Sequence, residues 1–201
     1  FARNANRIRV INARHEQTTA YMAMGYACAT GRPAVYSVVP GPGVLNTTAA
    51  LSTAYATNMP VLCISGQIPT DTIGRGFGQL HEIPDSLAVL RSLTKWTARV
   101  PSVAQLPALV DEAFAQLHTG RPRPVALEVP MDILAAEDEV APGAVPSSYP
   151  RSAPDAVDIA RAAQLLAQAK RPLIMIGSGA DDAGAELLQV AELLQAPVVA
   201  N

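Results

Sequence analysis

The stretch from Ala34 to Pro69, AVYSVVPGPGVLNTTAALSTAYATNMPVLCISGQIP, decides the fold. It holds two continuous apolar runs, AVYSVV and PVLCIS, with no alternation of apolar and polar residues. Such runs mark strands covered on both faces, which is how strands of a parallel sheet read. Between them the turn Pro40-Gly41-Pro42-Gly43 opens a helix from about Val44, and Asn58 with Pro60 stops it. Strand, helix and strand in this order make one crossover unit of an α/β fold.

The same alternation extends in both directions. Upstream, RIRVI (7–11) reads as a strand, and the helix after Glu16 is stopped by Gly31 with Pro33. Downstream come a loop, a helix that tolerates Pro107 in its first turn, and the strand PVALEV (124–129). The expected fold class is therefore α/β, a parallel sheet with helices on both faces, over residues 1–136. Residues 137–154, EDEVAPGAVPSSYPRSAP, hold four prolines and no periodicity, so they read as an extended linker. From 155 to 201 the pattern of helix, strand, glycine turn, helix and strand begins a second α/β domain. The first residue is Phe1, and Asn201 directly follows the apolar run APVVA. Both domains are accordingly expected to be truncated parts of a longer protein.

Charged residues make up 16% of the 201, the formal net charge is -2, and no Lys/Arg cluster supplies the basic surface that nucleic acid requires. Nucleic-acid partners are excluded on that ground. The apolar runs fall far short of the roughly 20 residues that span a bilayer, and no signal-peptide pattern opens the chain. No membrane association and a cytoplasmic location are expected. Cys28 and Cys63 lie in apolar surroundings without metal-ligand spacing and read as two buried thiols.

Ligands of open α/β sheets bind beyond the carboxyl ends of the strands. Three stretches would meet there: Arg14-His15-Glu16-Gln17, Pro40-Gly41-Pro42-Gly43 with Asn46, and Ser65-Gly66-Gln67-Ile68-Pro69. Each has a plain structural use as well. Glu16 suits the positive end of a helix, and glycine and proline suit a tight turn.

Taken together, in this order and spacing, the motifs resemble the pyrimidine-binding domain of thiamine diphosphate enzymes of the acetolactate synthase and pyruvate oxidase superfamily. The matching residues are RHEQ (14–17), ATGRP (29–33), PGPG followed by Asn46, and PVLCISGQIP (60–69), continued by SLTKW (92–96) and RPRPVALEVPMDI (121–133). The resemblance covers nearly the whole chain. It implies thiamine diphosphate as cofactor, with Glu16 bonded to N1' of the aminopyrimidine and assisting removal of the thiazolium C2 proton. That role calls for a carboxylate in an apolar setting, where desolvation raises its pKa; Tyr21 to Gly25 would line the wall. Gly41, Pro42 and Asn46 would border the cofactor, Gln79 would face the reacting centre, and His15 would carry protons on the substrate side. His81 reads as a solvated loop residue.

The resemblance also implies what these residues omit. The diphosphate-binding domain, with the GDG and Asn that hold Mg2+, has no counterpart here, so the metal's ligands would lie outside this chain and the fragment alone would be inactive. The second domain resembles the family's middle domain, which binds FAD in some members; GSGADDAG (177–184) is too short and irregular for a dinucleotide fingerprint, so FAD is not expected. In the loop, IGRGFGQLHEIPD (73–85) keeps Gln79 but has Gly78 and Leu80 where acetolactate synthases carry Phe and Glu. Acetolactate formation becomes doubtful, while another 2-oxo acid decarboxylation, carboligation, or cleavage of a diketone stays open for a small carbonyl substrate. The small-residue stripes Ala20, Ala23, Ala27, Thr30 and those of the helix after Gly43 fit ordinary helix packing and equally a partner helix, which the resemblance places in a homodimer or homotetramer. A noncatalytic α/β scaffold kept for oligomerisation is the rival reading, and a nucleotide-binding module using PGPG as an anion cradle is a weaker one.

Overall fold

Four strands, β1 (Ala34–Val38), β2 (Val61–Gln67), β3 (Trp96–Arg99) and β4 (Val125–Pro130), form one parallel sheet in the order β1-β2-β4-β3. Ala34 lies opposite Val61, while Leu62 and Trp96 both lie opposite Val125. The computed structural model describes residue 4, residues 6–141, residue 149 and residues 153–200. It divides into two units, Phe1–Arg151 and Ser152–Asn201.

Because side chains alternate between faces along a strand, neighbouring apolar residues feed two cores. On one face Tyr36, Cys63 and Ala126 pack with Ala20, Ala23 and Ala27 of α1 (Glu16–Thr30), Ala50, Leu51 and Ala54 of α3 (Thr48–Ala56), and Leu90 of α4 (Ser86–Leu93). On the other, Leu62, Val125, Leu127 and Val129 pack with Val100 and with Ala113 and Leu117 of α5 (Leu106–His118). Leu51, Leu117 and Leu127 are each about 1% exposed, so each contributes roughly 1.5–3 kcal/mol of burial. The sheet with helices on both faces is thus the expected one.

Several local expectations are corrected. RIRVI (7–11) forms no strand: Ile8, Val10 and Ile11 are 47%, 48% and 56% exposed, and among the described residues no strand pairs with them. The single helix from Val44 is two, α2 (Pro42–Asn46) and α3, broken at Thr47. Its hydroxyl donates to Val44 O at 2.7 Å and accepts from Tyr36 Oη at 3.1 Å, a buried bond that ties the break to β1. Desolvation holds the Tyr36 phenol well above its ordinary pKa. Helix α4 and strand β3 lack a continuous apolar run and were not expected.

Cys63 is buried, and burial pushes its thiol up to about 12. Cys28 is exposed, because one residue beyond buried Ala27 turns the side chain some 100° around the helix. Of the two uses open to the small-residue stripes, the alanines take packing within the unit. Ala20, Ala23, Ala27, Ala50 and Ala54 are at most 8% exposed within their own unit, so these alanines bring α1 and α3 down on the sheet and on each other. What α1 leaves outside is Tyr21, Met22 and Tyr26, 38–48% exposed.

The expected linker, 137–154, lies partly outside the described residues. Beyond it, α7 (Ala156–Ala167) is capped by Asp155, whose carboxylate accepts from Val157 N at 2.7 Å. Then β5 (Ile174–Ile176), a 3-10 turn (Ser178–Ala183), α8 (Gly184–Leu194) and β6 (Val198–Ala200) follow, with β5 and β6 paired in parallel.

Candidate functional site

Glu16 is the first residue of α1. His15 precedes it as the cap, its Nδ1 accepting from Gln17 N at 3.2 Å. That bond satisfies one of the amides a helix start leaves unpaired, and it places His15 at the exposed rim. The Glu16 carboxylate reaches across to α2, where Asn46 Nδ2 donates to Oε2 at 3.1 Å. Bonding to the helix backbone first, and to Asn46 second, holds this carboxyl below its ordinary pKa. This corrects the expectation of a desolvated carboxylate: within this chain Glu16 is half-exposed, and desolvation is the smaller effect.

Gly41 explains the turn. Its φ is 61° and ψ −121°, a conformation that only glycine adopts without strain. A Cβ there would stand 2.5 Å from His81 O and 2.8 Å from His81 Cα. Gly43 is close-packed as well, since its Cβ would come within 2.5 Å of Val39 Cγ2 and 3.9 Å of Glu16 Cγ. A Cβ on Gly66 would lie 2.9 Å from Pro40 Cδ. The start of α1, the PGPG turn, the end of β2 and the loop 68–85 therefore converge, as the motif spacing implied. Pro42 occupies the first turn of α2 and is exposed beside them.

Gln79 sits half-buried in the loop. Its Oε1 accepts from Thr72 Oγ1 at 3.2 Å, and its backbone N–H donates to Glu82 Oε2 at 2.9 Å. Glu82 also accepts from Gly76 N at 3.1 Å, so this carboxylate organises the loop. His81, expected to be a solvated side chain, is half-buried at φ 71°, and its contribution is the backbone laid on Gly41. At the loop's start Asp132, on α6 (Met131–Ala135), accepts from Thr70 N at 3.1 Å and from the Thr70 hydroxyl, which holds its carboxyl below the ordinary range.

A buried polar cluster was missed. Glu128 of β4 has no exposure, and its carboxylate accepts from Gln67 Nε2 at 2.9 Å, from Ser86 Oγ and from Arg99 Nε. The signal was a lone acid inside the apolar run PVALEVP. A cavity of about 190 Å³ adjoins this cluster, lined by Ile68, Ile73, Ile83 and Arg99 among others.

A strand-edge site with a carboxylate over a glycine turn, on this parallel sheet, defines a class that the comparisons identify. Models of the thiamine pyrophosphate enzyme match the chain twice, the N-terminal TPP binding domain at residues 1–89 and the central domain at 159–201. The chain belongs to the thiamine pyrophosphate-dependent enzyme family. It is 40% identical over 192 residues to the Pseudomonas aeruginosa protein described as “Probable 2-ketoarginine decarboxylase”, covering 95% of this chain and 34% of that one. It is 34% identical over 196 residues to acetolactate synthase isozyme 1 large subunit of Escherichia coli, covering 96% and 34%. A Mycobacterium smegmatis structure described as that of “a putative thiamin diphosphate-dependent enzyme” superposes with TM-score 0.80 at 30% identity, over 94% of this chain and 36% of that one. The chain thus spans about a third of the length of these relatives.

The contact at Gly41 makes a direct prediction. Gly41→Ala lowers stability by about 1–3 kcal/mol from backbone conformation alone, with the clash added. Urea unfolding of the 201-residue chain checks this, and a loss below about 0.5 kcal/mol, the range of inert substitutions, would contradict the close approach.

Proposed function

We propose that the protein containing this chain is a thiamine diphosphate-dependent enzyme that acts on a 2-oxo acid, with Glu16 as the group that activates the cofactor. The observation that carries the proposal is the Glu16 carboxylate, bonded by Asn46 through one oxygen and lying above Gly43 beside a turn that only glycine fits. The Glu16 carboxylate stands half-exposed beside that turn, and Asn46 takes only one of its oxygens, which leaves the other to meet a ring nitrogen. Those residues fit an aminopyrimidine.

When bound, thiamine diphosphate supplies a nucleophilic carbon that adds to a carbonyl and stabilises the charge left by decarboxylation or cleavage. Glu16 would hold and return a proton at the pyrimidine ring nitrogen, and Asn46 would fix the orientation of its carboxylate. Gln79 and His15 border the substrate side in this reading. The diphosphate and its Mg2+ would be held by groups outside these residues, and FAD has no assigned role. Covering the site with another domain would dry it and raise the Glu16 pKa, which suits a general acid and base.

The loop with Gly78 and Leu80, together with the decarboxylase among the relatives, favours decarboxylation of a 2-oxo acid other than pyruvate over acetolactate formation. A cytoplasmic location fits a chain in which, among the described residues, no helix is long and apolar enough to cross a membrane. We assign self-association as a two-fold pair to the outer face of α1, where Tyr21, Met22 and Tyr26 stand exposed at helical spacing.

In the complete protein Glu16→Gln lowers turnover by roughly 10² to 10⁴, the usual worth of a positioned acid/base group. A panel of 2-oxo acids assayed with saturating thiamine diphosphate and Mg2+ measures it; turnover within about threefold of the parent would sink the assignment. For assembly, light scattering is expected to give a dimer or larger species, and Tyr26→Glu to weaken it. A monomer mass for the parent at tens of micromolar would refute the proposed face.

A further inference from the structure

The motif Ser65-Gly66-Gln67 was expected to meet ligand, yet Gln67 is 4% exposed and its side chain turns inward. Its bonding is nearly saturated. Oε1 accepts from Ile68 N at 2.7 Å, and Nε2 donates to Ser86 Oγ at 2.5 Å and to Glu128 Oε1 at 2.9 Å. A glutamine amide has two N–H donors, so both are used. It has no donor left for a ligand.

The positions of those partners are informative. Ile68 is the first residue of the loop that follows β2, and Ser86 is the first residue of α4 that ends it. One amide therefore ties both ends of the loop 68–85 to each other and to a buried carboxylate on β4. Glu128 is fixed in turn by Arg99 of β3. From that root the loop extends to lay His81 on Gly41, with Gln79 held two residues before it.

We infer that Gln67 is a positioning residue: its amide clasps the two ends of the loop 68–85 and so sets where Gln79 and the His81 backbone stand over the PGPG turn. The consequence for catalysis rests on the proposed function, since it takes that turn to border the reacting groups. The clasp itself does not.

The charged and titratable groups around Gln67 are Glu128 on β4, Arg99 on β3 and Asp85, the cap of α4 on the cavity wall. Gln67→Glu keeps the shape and the acceptor for Ile68 N but sets a second carboxyl against Glu128. Two carboxyls sharing a site cannot both be charged cheaply, so the pair takes up a proton at a raised pKa. That proton restores a donor at low pH, and at high pH the two charges repel.

Hydrogen exchange of the 201-residue chain, each variant compared with the parent at the same pH, reads this out. In Gln67→Glu the amides of 68–85 are expected to exchange about tenfold faster than in the parent near pH 9, and within about twofold near pH 5, while β2 and β4 keep parental protection. Ser86→Ala, which removes one hydroxyl, is expected to raise loop exchange by about threefold at both pH values, and it decides the matter if Gln67→Glu does not fold. Parental loop exchange near pH 9, equal loss in loop and strands, or no change in Ser86→Ala would overturn the clasp. In the complete protein Gln67→Glu is expected to raise KM for the 2-oxo acid more steeply with pH than the parent does. If Glu16→Gln keeps full turnover, the reading of the active site fails while the exchange data still decide the clasp.

Discussion

A carboxylate with no exposure at the centre of a parallel sheet constrains everything around it. Leaving Glu128 without partners would cost several kcal/mol. Its three donors come from three different elements: Gln67 at the end of β2, Ser86 at the start of α4, and Arg99 at the end of β3. Strand β4 can satisfy its acid only if β2 and β3 flank it and α4 begins beside it. The order β1-β2-β4-β3 meets that condition. Burial of leucine and valine supplies most of the stabilisation, but it is non-directional; the hydrogen bonds to Glu128 fix the relative placement of the elements.

That placement carries through to the candidate site by backbone contact. The loop rooted at Gln67 and Ser86 arrives on Gly41, Pro40 presses on Gly66, and Gly43 lies under Glu16. On the other side Tyr36 of β1 bonds Thr47, the residue after Asn46, so the amide that orients Glu16 is itself fixed by the sheet. Four segments distant in sequence thereby hold one carboxylate, with one of its oxygens bonded to Asn46.

The parts legible in sequence were those with a single physical cause. β1, β2 and β4 are continuous apolar runs because both faces are covered, and the two glycines of PGPG read as a tight turn that lets the backbone come close to a neighbour. The hidden parts had competing causes. WTAR is a strand only because it pairs with β4 at an edge, and each of its residues is half-buried, so no apolar run marks it. RIRVI has the composition of a strand but no partner strand among the described residues. Alanines at three- and four-residue spacing fit either a partner helix or the chain's own sheet, and only the packing of α1 on α3 and β1 distinguishes the two. Gln67 looked like a ligand contact from its motif, whereas its burial depends on Glu128, a residue far along the chain.

The central claim is that Glu16 activates a thiamine cofactor. Its most direct measure is the rate of hydrogen–deuterium exchange at the cofactor's C2, followed by quenched NMR in the complete protein without substrate. The parent is expected to accelerate that exchange by several orders of magnitude over free thiamine diphosphate, and Glu16→Gln to lose about 10² to 10⁴ of it, the worth of a positioned acid/base group, while cofactor affinity stays within about tenfold. Exchange as fast in Glu16→Gln as in the parent, with the cofactor bound in both, would contradict the claim.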